Sequence, residues 1–271
     1  MKTRIYAAAA LLPLLLIIVL ALPAVCTGVL FGLIAGIGAY ELLWRTGLVK
    51  HPRLVAYSAV MAFLTALWSC YGPSYPAALI GILIFSAALY GELLASKGAL
   101  SYEKLMVCFA GGVLIPFMLT ALVRLRSGAY GQFLILIPFV LAFLSDTGAY
   151  FTGCAFGKHK LAPTISPKKT VEGVAGGVAG AIVGMVLYCL VLELAFDFEV
   201  NYLYGIIYGL IGSLAAVFGD LSFSAIKRQV GIKDYGNLIP GHGGVLDRFD
   251  SMSVVAPLTE VLMLLIPVVV K

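Results

Sequence analysis

Residues 6–44 read YAAAALLPLLLIIVLALPAVCTGVLFGLIAGIGAYELLW, two apolar runs that follow one another almost without a break. A helix that spans a bilayer needs about 20 predominantly apolar residues, and each run is close to that length. The first run follows Lys2 and Arg4, as a signal peptide would, but it is too long for one and leads directly into the second. The sequence therefore predicts two consecutive membrane-spanning helices here.

The remainder of the chain has the same apolar character. Of its 271 residues, 62% are hydrophobic and 11% are charged, whereas soluble domains are about 45–50% apolar and about 25% charged. This composition excludes an ordinary soluble globule and also a disordered chain. Nine stretches are long and apolar enough to span a membrane: 6–24, 26–44, 54–70, 76–95, 105–123, 132–153, 171–195, 203–223 and 251–270. We therefore expect an all-α, polytopic integral membrane protein with about nine transmembrane helices.

The positions of the basic residues predict the orientation of these helices. If the N-terminus is cytoplasmic, 15 of the 18 Lys and Arg residues fall on the cytoplasmic side, leaving Arg124, Arg126 and Lys271 outside. Cytoplasmic loops of membrane proteins carry such an excess. We therefore assign the net charge of +5 to the cytoplasmic face of an inner membrane. The expected partner is the lipid bilayer, and no nucleic acid is expected.

No second soluble domain is indicated, so residues 1–271 are predicted to form a single membrane-embedded domain. The helices within 1–130 carry no recognisable motif. Residues 131–271 contain the clusters of polar side chains and the two long cytoplasmic loops, 154–170 and 224–250. We expect this second half to be catalytic.

Small residues recur at a spacing of four, which lets helix backbones approach closely. These positions are Gly28, Gly32 and Gly36, then Gly176, Gly180 and Gly184, and finally Gly205 and Gly209. We expect them to pack helices within one subunit, and a homodimer face is the alternative.

The first polar cluster surrounds the loop 154–170. Asp146 lies inside an apolar run, where an ionisable group by default marks a functional site, with a structural ion pair as the alternative. The loop itself contains Lys158, His159, Lys160, Lys168 and Lys169. These cations form either a pocket for an anion or a contact with anionic lipids. We place the start of the next helix at Ser166–Pro167, with Thr170 and Glu172 in its first turns.

The second polar cluster lies in residues 217–250. Asp220, Ser224 and Arg228 are spaced four apart, so they share one face of a helix, with Lys227 adjacent. Lys233 and Asp234 follow, and then the turn Pro240-Gly241-His242-Gly243-Gly244. We expect this turn, and the N-terminus of a helix beginning near Val245, to present N–H groups to an anion. Asp247 and Asp250, three apart, can share a helix face. By contrast, we expect Glu41 and Glu92 to snorkel or to pair with loop charges.

Carboxylates beside many Lys and Arg side chains are typical of a phosphate site. Asp220 and Asp247, at the ends of different helices, can meet over one Mg²⁺ ion, which prefers carboxylate and phosphate oxygens. The basic residues would neutralise the remaining phosphate charge. No Cys/His spacing supports zinc, and no phosphate-binding loop of the NTPase type is present. The residues thus predict a cytoplasm-facing, Mg²⁺-dependent phosphate site at the bilayer surface.

The segment 224–250 closely resembles the signature of the phosphatidate cytidylyltransferase, or CDP-diacylglycerol synthase, family. The matching residues are Ser224, Lys227, Arg228, Lys233, Asp234, Gly236, Pro240, His242, Gly243, Gly244, Asp247, Arg248 and Asp250. The run from Asp146 to Ser166-Pro167-Lys168-Lys169-Thr170-Val171-Glu172-Gly173 also looks like this family.

This resemblance implies that CTP and phosphatidic acid react, with Mg²⁺, to give CDP-diacylglycerol and pyrophosphate. The CDP-diacylglycerol would then be used in phospholipid synthesis. The implied catalytic residues are Asp220, Asp247, Lys227, Arg228 and His242. The implied metal ligands are Asp220 and Asp247, with Asp250 and Asp146 as candidates for a second cation, which a triphosphate would suit. The implied substrate-binding residues are Lys168, Lys169, Ser224, Lys233, Asp234, Gly243, Gly244 and Arg248. His242 is either a general base or a residue that shapes the site.

Two other functions compete with this interpretation. One is a CTP-dependent lipid kinase, or a cytidylyltransferase for another lipid phosphate. The other is a transporter in which Asp146 and Asp220 carry ions. Transporters often have two related halves, whereas the polar residues here gather in one half, and this asymmetry favours an enzyme.

Overall fold

The computed structural model describes residues 13–72, 74–238 and 243–269, and these residues are predominantly helical. After a helical stretch at 13–20, the helices are α1 (Ala24–Tyr40), α2 (Pro52–Cys70), α3 (Tyr75–Ala95), α4 (Tyr102–Phe109), α5 (Ile115–Leu119), α6 (Ala121–Ser127), α7 (Gly131–Leu134), α8 (Leu136–Phe156), α9 (Val171–Phe196), α10 (Tyr202–Gln229), α11 (Leu246–Phe249) and α12 (Met252–Leu265). The π-helical segments Glu41–Arg45 and Ala110–Leu114 continue α1 and α4. The all-α membrane architecture is thus confirmed.

Within the described residues, seven helical stretches are long and apolar enough to cross a membrane. They are Ala24–Arg45, Pro52–Cys70, Tyr75–Ala95, Tyr102–Ser127, Gly131–Phe156, Val171–Phe196 and Tyr202–Gln229. Each coincides with one of the nine predicted segments. Of the first predicted segment, residues 6–12 lie outside the described residues. The orientation of the N-terminus stays a prediction.

The last predicted segment, 251–270, differs from the structure. Helix α12 has 14 residues, about 21 Å at 1.5 Å per residue, which is short of the roughly 30 Å hydrocarbon core. The helix ends because Ile266 precedes Pro267, and a residue before proline is pushed out of the α region. Ile266 accordingly has φ −139° and ψ 70°. The count of nine spanning helices is therefore not confirmed.

The described chain divides into two compact units. The first takes in the chain up to Phe133 together with Lys227–Phe249, and the second takes in Leu134–Ile226 with the chain from Asp250 onward. The boundary at Phe133 lies close to the predicted division at residue 130. The signature-bearing segment 227–249, however, packs with the N-terminal helices, which carry no motif of their own. The description of the chain as a single domain stays a prediction.

Glycines bring helices together within each unit. In the first, a Cβ on Gly32 of α1 would lie 2.8 Å from the ring of Phe63 on α2. In the second, a Cβ on Gly180 of α9 would lie 2.7 Å from the Leu144 carbonyl oxygen and 3.3 Å from the Gly148 Cα of α8. The small-residue spacing therefore packs helices within one chain, as expected. The homodimer stays a prediction.

The loop 154–170 contains a short antiparallel hairpin. Strands β1 (Lys160–Ala162) and β2 (Ser166–Thr170) pair Lys160 with Thr170 and Ala162 with Ser166. The predicted helix start at Ser166–Pro167 is therefore wrong, because a residue before proline favours extended backbone. Helix α9 begins at Val171, where the Thr170 Oγ1 accepts a hydrogen bond from the Gly173 N–H at 3.1 Å. Thr170 thus caps the helix.

Candidate active site

Asp220 is the centre of a polar cluster in the second unit. Its Oδ2 lies 2.6 Å from the Nζ of Lys169, at the end of the hairpin. Its Oδ1 accepts a hydrogen bond from the Ser224 Oγ at 3.1 Å, one turn further along α10. The expectation that Asp220 and Ser224 share a helix face is confirmed. The Lys169 and Asp220 side chains are 22% and 31% exposed, so the ion pair remains accessible to a ligand.

The hairpin that carries Lys169 is attached to the start of α9 by Glu172. The Glu172 carboxylate accepts hydrogen bonds from the backbone N–H groups of Lys158 and His159, at 3.1 and 3.2 Å, and contacts the His159 ring. A carboxylate in the first turn of a helix is also favoured by the helix dipole. Glu172 therefore lies in the first turn as predicted, and its contacts fix the base of the hairpin.

Asp247 organises a second cluster, within the first unit. Its Oδ1 is 2.8 Å from the Nζ of Lys227. Its Oδ2 accepts hydrogen bonds from the N–H groups of Tyr235 and Gly244, at 2.8 and 2.9 Å. The Asp247 side chain is 1% exposed and that of Lys227 is 10% exposed. The Lys227 Nζ also lies 5.4 Å from the centre of the Tyr235 ring. This buried carboxylate therefore holds two separate points of the signature loop.

Gly243 lies beside this carboxylate in a conformation that side chains rarely adopt, with φ +87°. A Cβ there would lie 3.0 Å from the Asp247 Oδ2 and 3.4 Å from the Asp234 Oδ1. Glycine is therefore required for both backbone conformation and space. His242 lies outside the described residues, so both of its suggested roles stay predictions.

The predicted anion-binding helix terminus is not available to a ligand in this structure. Helix α11 begins at Leu246, close to the expected position. Its first N–H groups nevertheless donate to a protein carboxylate, because Glu41 accepts from Val245 at 3.1 Å and from Leu246 at 2.9 Å. The Gly244 N–H is bound by Asp247. The expectation that these N–H groups face an anionic ligand is therefore wrong for Gly244, Val245 and Leu246, whereas Pro240, Gly241 and His242 of the predicted turn lie outside the described residues.

Glu41 was missed as a site residue by the sequence reasoning. Its carboxylate is buried, with only 3% of the residue exposed, so the snorkelling interpretation is wrong, although Glu41 does pair with a loop. The argument that singled out Asp146, a carboxylate within an apolar run, applies equally to Glu41 and would have found it. Glu92 instead accepts hydrogen bonds from Arg53 and Tyr57, at 3.4 and 3.3 Å.

The other predicted site residues differ in their exposure. The exposed ones are Asp146, Lys168, Arg228, Lys233, Asp234 and Arg248. One Arg228 nitrogen donates to the Ile232 carbonyl oxygen at 3.3 Å. Asp250 is buried, and its Oδ1 accepts a hydrogen bond from the Ser251 N–H at 2.8 Å. Asp250 directly follows α11, which ends at Phe249, so the two signature aspartates do not share that helix.

The two central carboxylates differ in their fitness as metal ligands. A carboxylate has about four acceptor positions. Asp220 uses one on each oxygen and is partly exposed, so it can accept a cation while keeping Ser224. Asp247 accepts three hydrogen bonds and is buried, so it would have to release a donor. Within the described parts of the chain, no group of three or more His, Cys, Asp or Glu side chains is placed to hold a metal ion.

Comparisons with known proteins cover nearly the whole chain. The sequence model described as the cytidylyltransferase family matches residues 2–266. The chain is similar to a phosphatidate cytidylyltransferase of Pseudomonas aeruginosa, with 39% identity over 272 residues and 97% of each chain covered. Another from Haemophilus influenzae is 39% identical over 159 residues, 56% of this chain and 55% of that protein. A third, from Staphylococcus saprophyticus, is 34% identical over 183 residues, 68% of each chain.

Proposed function

Because this chain belongs to the cytidylyltransferase family, and is thus a nucleotidyltransferase, we propose that it catalyses the phosphatidate cytidylyltransferase reaction. In this reaction the CMP group of CTP is transferred to phosphatidic acid, and pyrophosphate is released. The lipid product, CDP-diacylglycerol, is used in phospholipid synthesis. The observation that carries the proposal is the 39% identity to the Pseudomonas aeruginosa protein over 97% of both chains. An apolar chain with accessible charged groups suits one lipid substrate and one water-soluble substrate.

The reaction needs positioning and charge neutralisation more than proton transfer. A phosphate oxygen of phosphatidic acid attacks the α-phosphorus of CTP, the new P–O bond forms, and the bond to pyrophosphate breaks. The attacking phosphate is already ionised, so no general base is required. The protein's task is to hold two anionic groups in line and to offset their repulsion.

Lys169 and Asp220 form the part of the structure best suited to that task. An accessible Lys169 ammonium group can bind a phosphate oxygen. Asp220 holds this ammonium group in place, and the Ser224 hydroxyl in turn donates a hydrogen bond to Asp220. The exposed Lys168, close in sequence, adds positive charge. We assign phosphate binding to these lysines, and the same role to Arg228, Lys233 and Arg248, without dividing them between CTP and lipid.

We also propose that the reaction depends on Mg²⁺, held first by Asp220. Bound Mg²⁺ would neutralise phosphate charge and orient the triphosphate. Asp247 stays a predicted metal ligand, and it would bind a cation only after Lys227 or a backbone donor had released one of its oxygens. Asp146 and Asp250 remain the candidates for a second cation.

The site is proposed to face the cytoplasm, where CTP is available. The distribution of basic residues supports this orientation, because 15 of the 18 Lys and Arg residues fall on one side of the predicted helices. The hairpin with its lysines would then lie on that side.

The direct test is to incubate the purified protein in mixed lipid–detergent micelles with CTP, phosphatidic acid and Mg²⁺. We expect a lipid product heavier by one CMP residue, with release of one pyrophosphate. An Asp220→Asn protein prepared in parallel controls for contaminating activity. A lipid alcohol that instead gains one phosphate, with release of CDP, would replace this proposal with a CTP-dependent lipid kinase.

A further inference from the structure

A carboxylate from the N-terminal half of the chain holds the backbone of the signature segment. Glu41 lies at the end of α1, in a region that resembles no family motif. Its Oε1 accepts the Val245 N–H at 3.1 Å, and its Oε2 accepts the Leu246 N–H at 2.9 Å. The partners are more than 200 residues away in sequence, 204 for Val245 and 205 for Leu246. One buried carboxylate therefore uses both oxygens on two consecutive amides.

The signature segment provides the space that this carboxylate occupies. A Cβ on Gly244 would lie 2.6 Å from both Glu41 carboxylate oxygens, and a Cβ on Gly236 would overlap the same group. Neither glycine has the positive φ that would by itself require glycine. Both positions therefore need glycine because Glu41 is there, not because of the backbone conformation.

The helix that carries Glu41 has an irregularity at this position. Glu41–Arg45 form a π-helical turn, in which the Thr46 N–H donates to the Glu41 carbonyl oxygen at 3.3 Å. Such turns are rare and often occur at functional sites. Arg45, at the other end of the turn, donates a hydrogen bond to the Asn237 side chain. The π turn thus contacts the signature segment at two points, Asn237 and the amides of Val245 and Leu246.

Glu41 and Asp247 together bind three consecutive amides. Asp247 takes the N–H of Gly244, and Glu41 takes those of Val245 and Leu246. Without Glu41, two buried N–H groups would lose their acceptor, and the backbone that leads into Asp247 would be free to move. Misplacement of reacting groups by about 1 Å can slow an enzyme about a hundredfold.

We propose that Glu41 is a positioning residue for the cytidylyl transfer. It fixes residues 244–247 and so sets the geometry of Asp247 and its partner Lys227, without touching substrate itself. This inference rests on the proposed function, and it gives the N-terminal helices a role in catalysis.

The test compares Glu41→Gln with Glu92→Gln, a matched change at the end of another N-terminal helix, away from the signature segment. Hydrogen exchange of the peptide 243–249 is measured together with kcat and KM for CTP. Because hydrogen bonds to a charged acceptor are strong, we expect exchange at Val245 and Leu246 to rise about tenfold or more in the Glu41 variant. We also expect kcat to fall at least about tenfold with KM changed about twofold or less. Glu92→Gln should leave both unchanged.

Unchanged exchange at these amides in Glu41→Gln would overturn the anchoring, and faster exchange with a normal kcat would overturn the positioning role. If Glu41→Gln does not fold, the same measurements on Glu41→Asp test the proposal. This variant keeps the negative charge, but its side chain is one methylene shorter, so the carboxylate lies further from the two amides. Failure of the wild-type protein to transfer CMP would overturn the proposed function, while the exchange data would still show whether Glu41 holds the turn.

Discussion

At the scale of single residues, two Asp–Lys pairs within the described part of the chain have opposite character. Asp247 and Lys227 are buried, with side chains 1% and 10% exposed, and Asp247 also accepts two backbone N–H groups. Asp220 and Lys169 are 31% and 22% exposed. Removing one partner of a buried ion pair strongly destabilises the folded protein, because the other charge is left buried and unpaired. An exposed ion pair contributes little to the stability of the fold. The first pair therefore holds the signature segment in place, and the second is accessible to ligands.

This contrast predicts different outcomes for the same substitution at the two lysines. Lys227→Met should lower the free energy of unfolding by about 3–5 kcal/mol, because Asp247 loses its counter-ion in a buried site. Lys169→Met should change it by less than about 1 kcal/mol while reducing CMP transfer. Thermal unfolding of the two purified variants, followed by dye-free fluorescence, provides the comparison. Equal losses of stability would contradict the assignment.

The accessible pair also predicts the behaviour of Asp220→Asn. We expect CMP transfer to fall about a hundredfold or more, because the variant lacks the carboxylate that holds Lys169 and the proposed Mg²⁺ at the reacting phosphates. The unfolding temperature should change little. Chelation of the wild-type protein by EDTA should have a similar effect, reversed by added Mg²⁺. Full turnover under rigorous chelation would contradict the proposed Mg²⁺ dependence. Asp220 would then act only as the ion-pair partner of Lys169.

At the scale of helices and strands, glycine determines how closely the helices pack. Helices α8 and α9 approach at Gly148 and Gly180, where the nearest neighbours are backbone atoms that cannot move aside. Gly91 of α3, by contrast, does not lie at a close helix contact, because a Cβ there would have no neighbouring atom within 4 Å. The same amino acid thus has a packing role in one helix and none in another, although both helices are predominantly apolar.

The matched pair Gly180→Ala and Gly91→Ala should therefore have effects of opposite sign. Gly180→Ala forces α8 and α9 apart and should destabilise the protein by about 1–3 kcal/mol. Gly91→Ala should stabilise it by about 0.5–1 kcal/mol, because alanine loses less conformational entropy in a helix. The unfolding temperature of each variant in the same detergent is the measurement. A stabilising Gly180→Ala would show that the close approach is not needed.

At the scale of the whole molecule, the family signature is only part of what the chain needs. The family match extends over residues 2–266, and segment 227–249 belongs to the same compact unit as the N-terminal helices. Those helices supply Glu41 and Arg45 to the signature segment. The first half therefore contributes to the site even though it carries no recognisable motif.

The predicted orientation can be tested with two cysteines placed on opposite sides of the membrane. Lys158→Cys, at the base of the hairpin, should react with a membrane-impermeant maleimide only when the reagent can reach the cytoplasmic face, as in permeabilised cells. Glu199→Cys, in the connection between α9 and α10, lies on the outer side in the predicted orientation and should react in intact cells. Both positions are exposed, and Cys154 should first be replaced by Ser because it is the exposed native cysteine. The reverse labelling pattern would place the lysine-bearing hairpin outside.

The amino-acid sequence by itself determined those features that depend on local pattern. Apolar runs of about 20 residues predicted the membrane helices, and a spacing of four placed Ser224 beside Asp220. The family signature pointed to the chemistry. Such features follow from neighbours within a turn or two of helix, and hydrophobicity and periodicity report these directly.

Only the tertiary structure decided which distant groups satisfy the signature segment. Glu41 reaches amides 204 and 205 residues away, and Asp247, which was predicted to bind a cation, accepts the backbone N–H of Tyr235. A buried N–H group must find an acceptor, but nothing in the local pattern says which one. The packing of α1 against the signature segment brings that acceptor into place, which is why the N–H groups expected to bind phosphate are already occupied by a carboxylate.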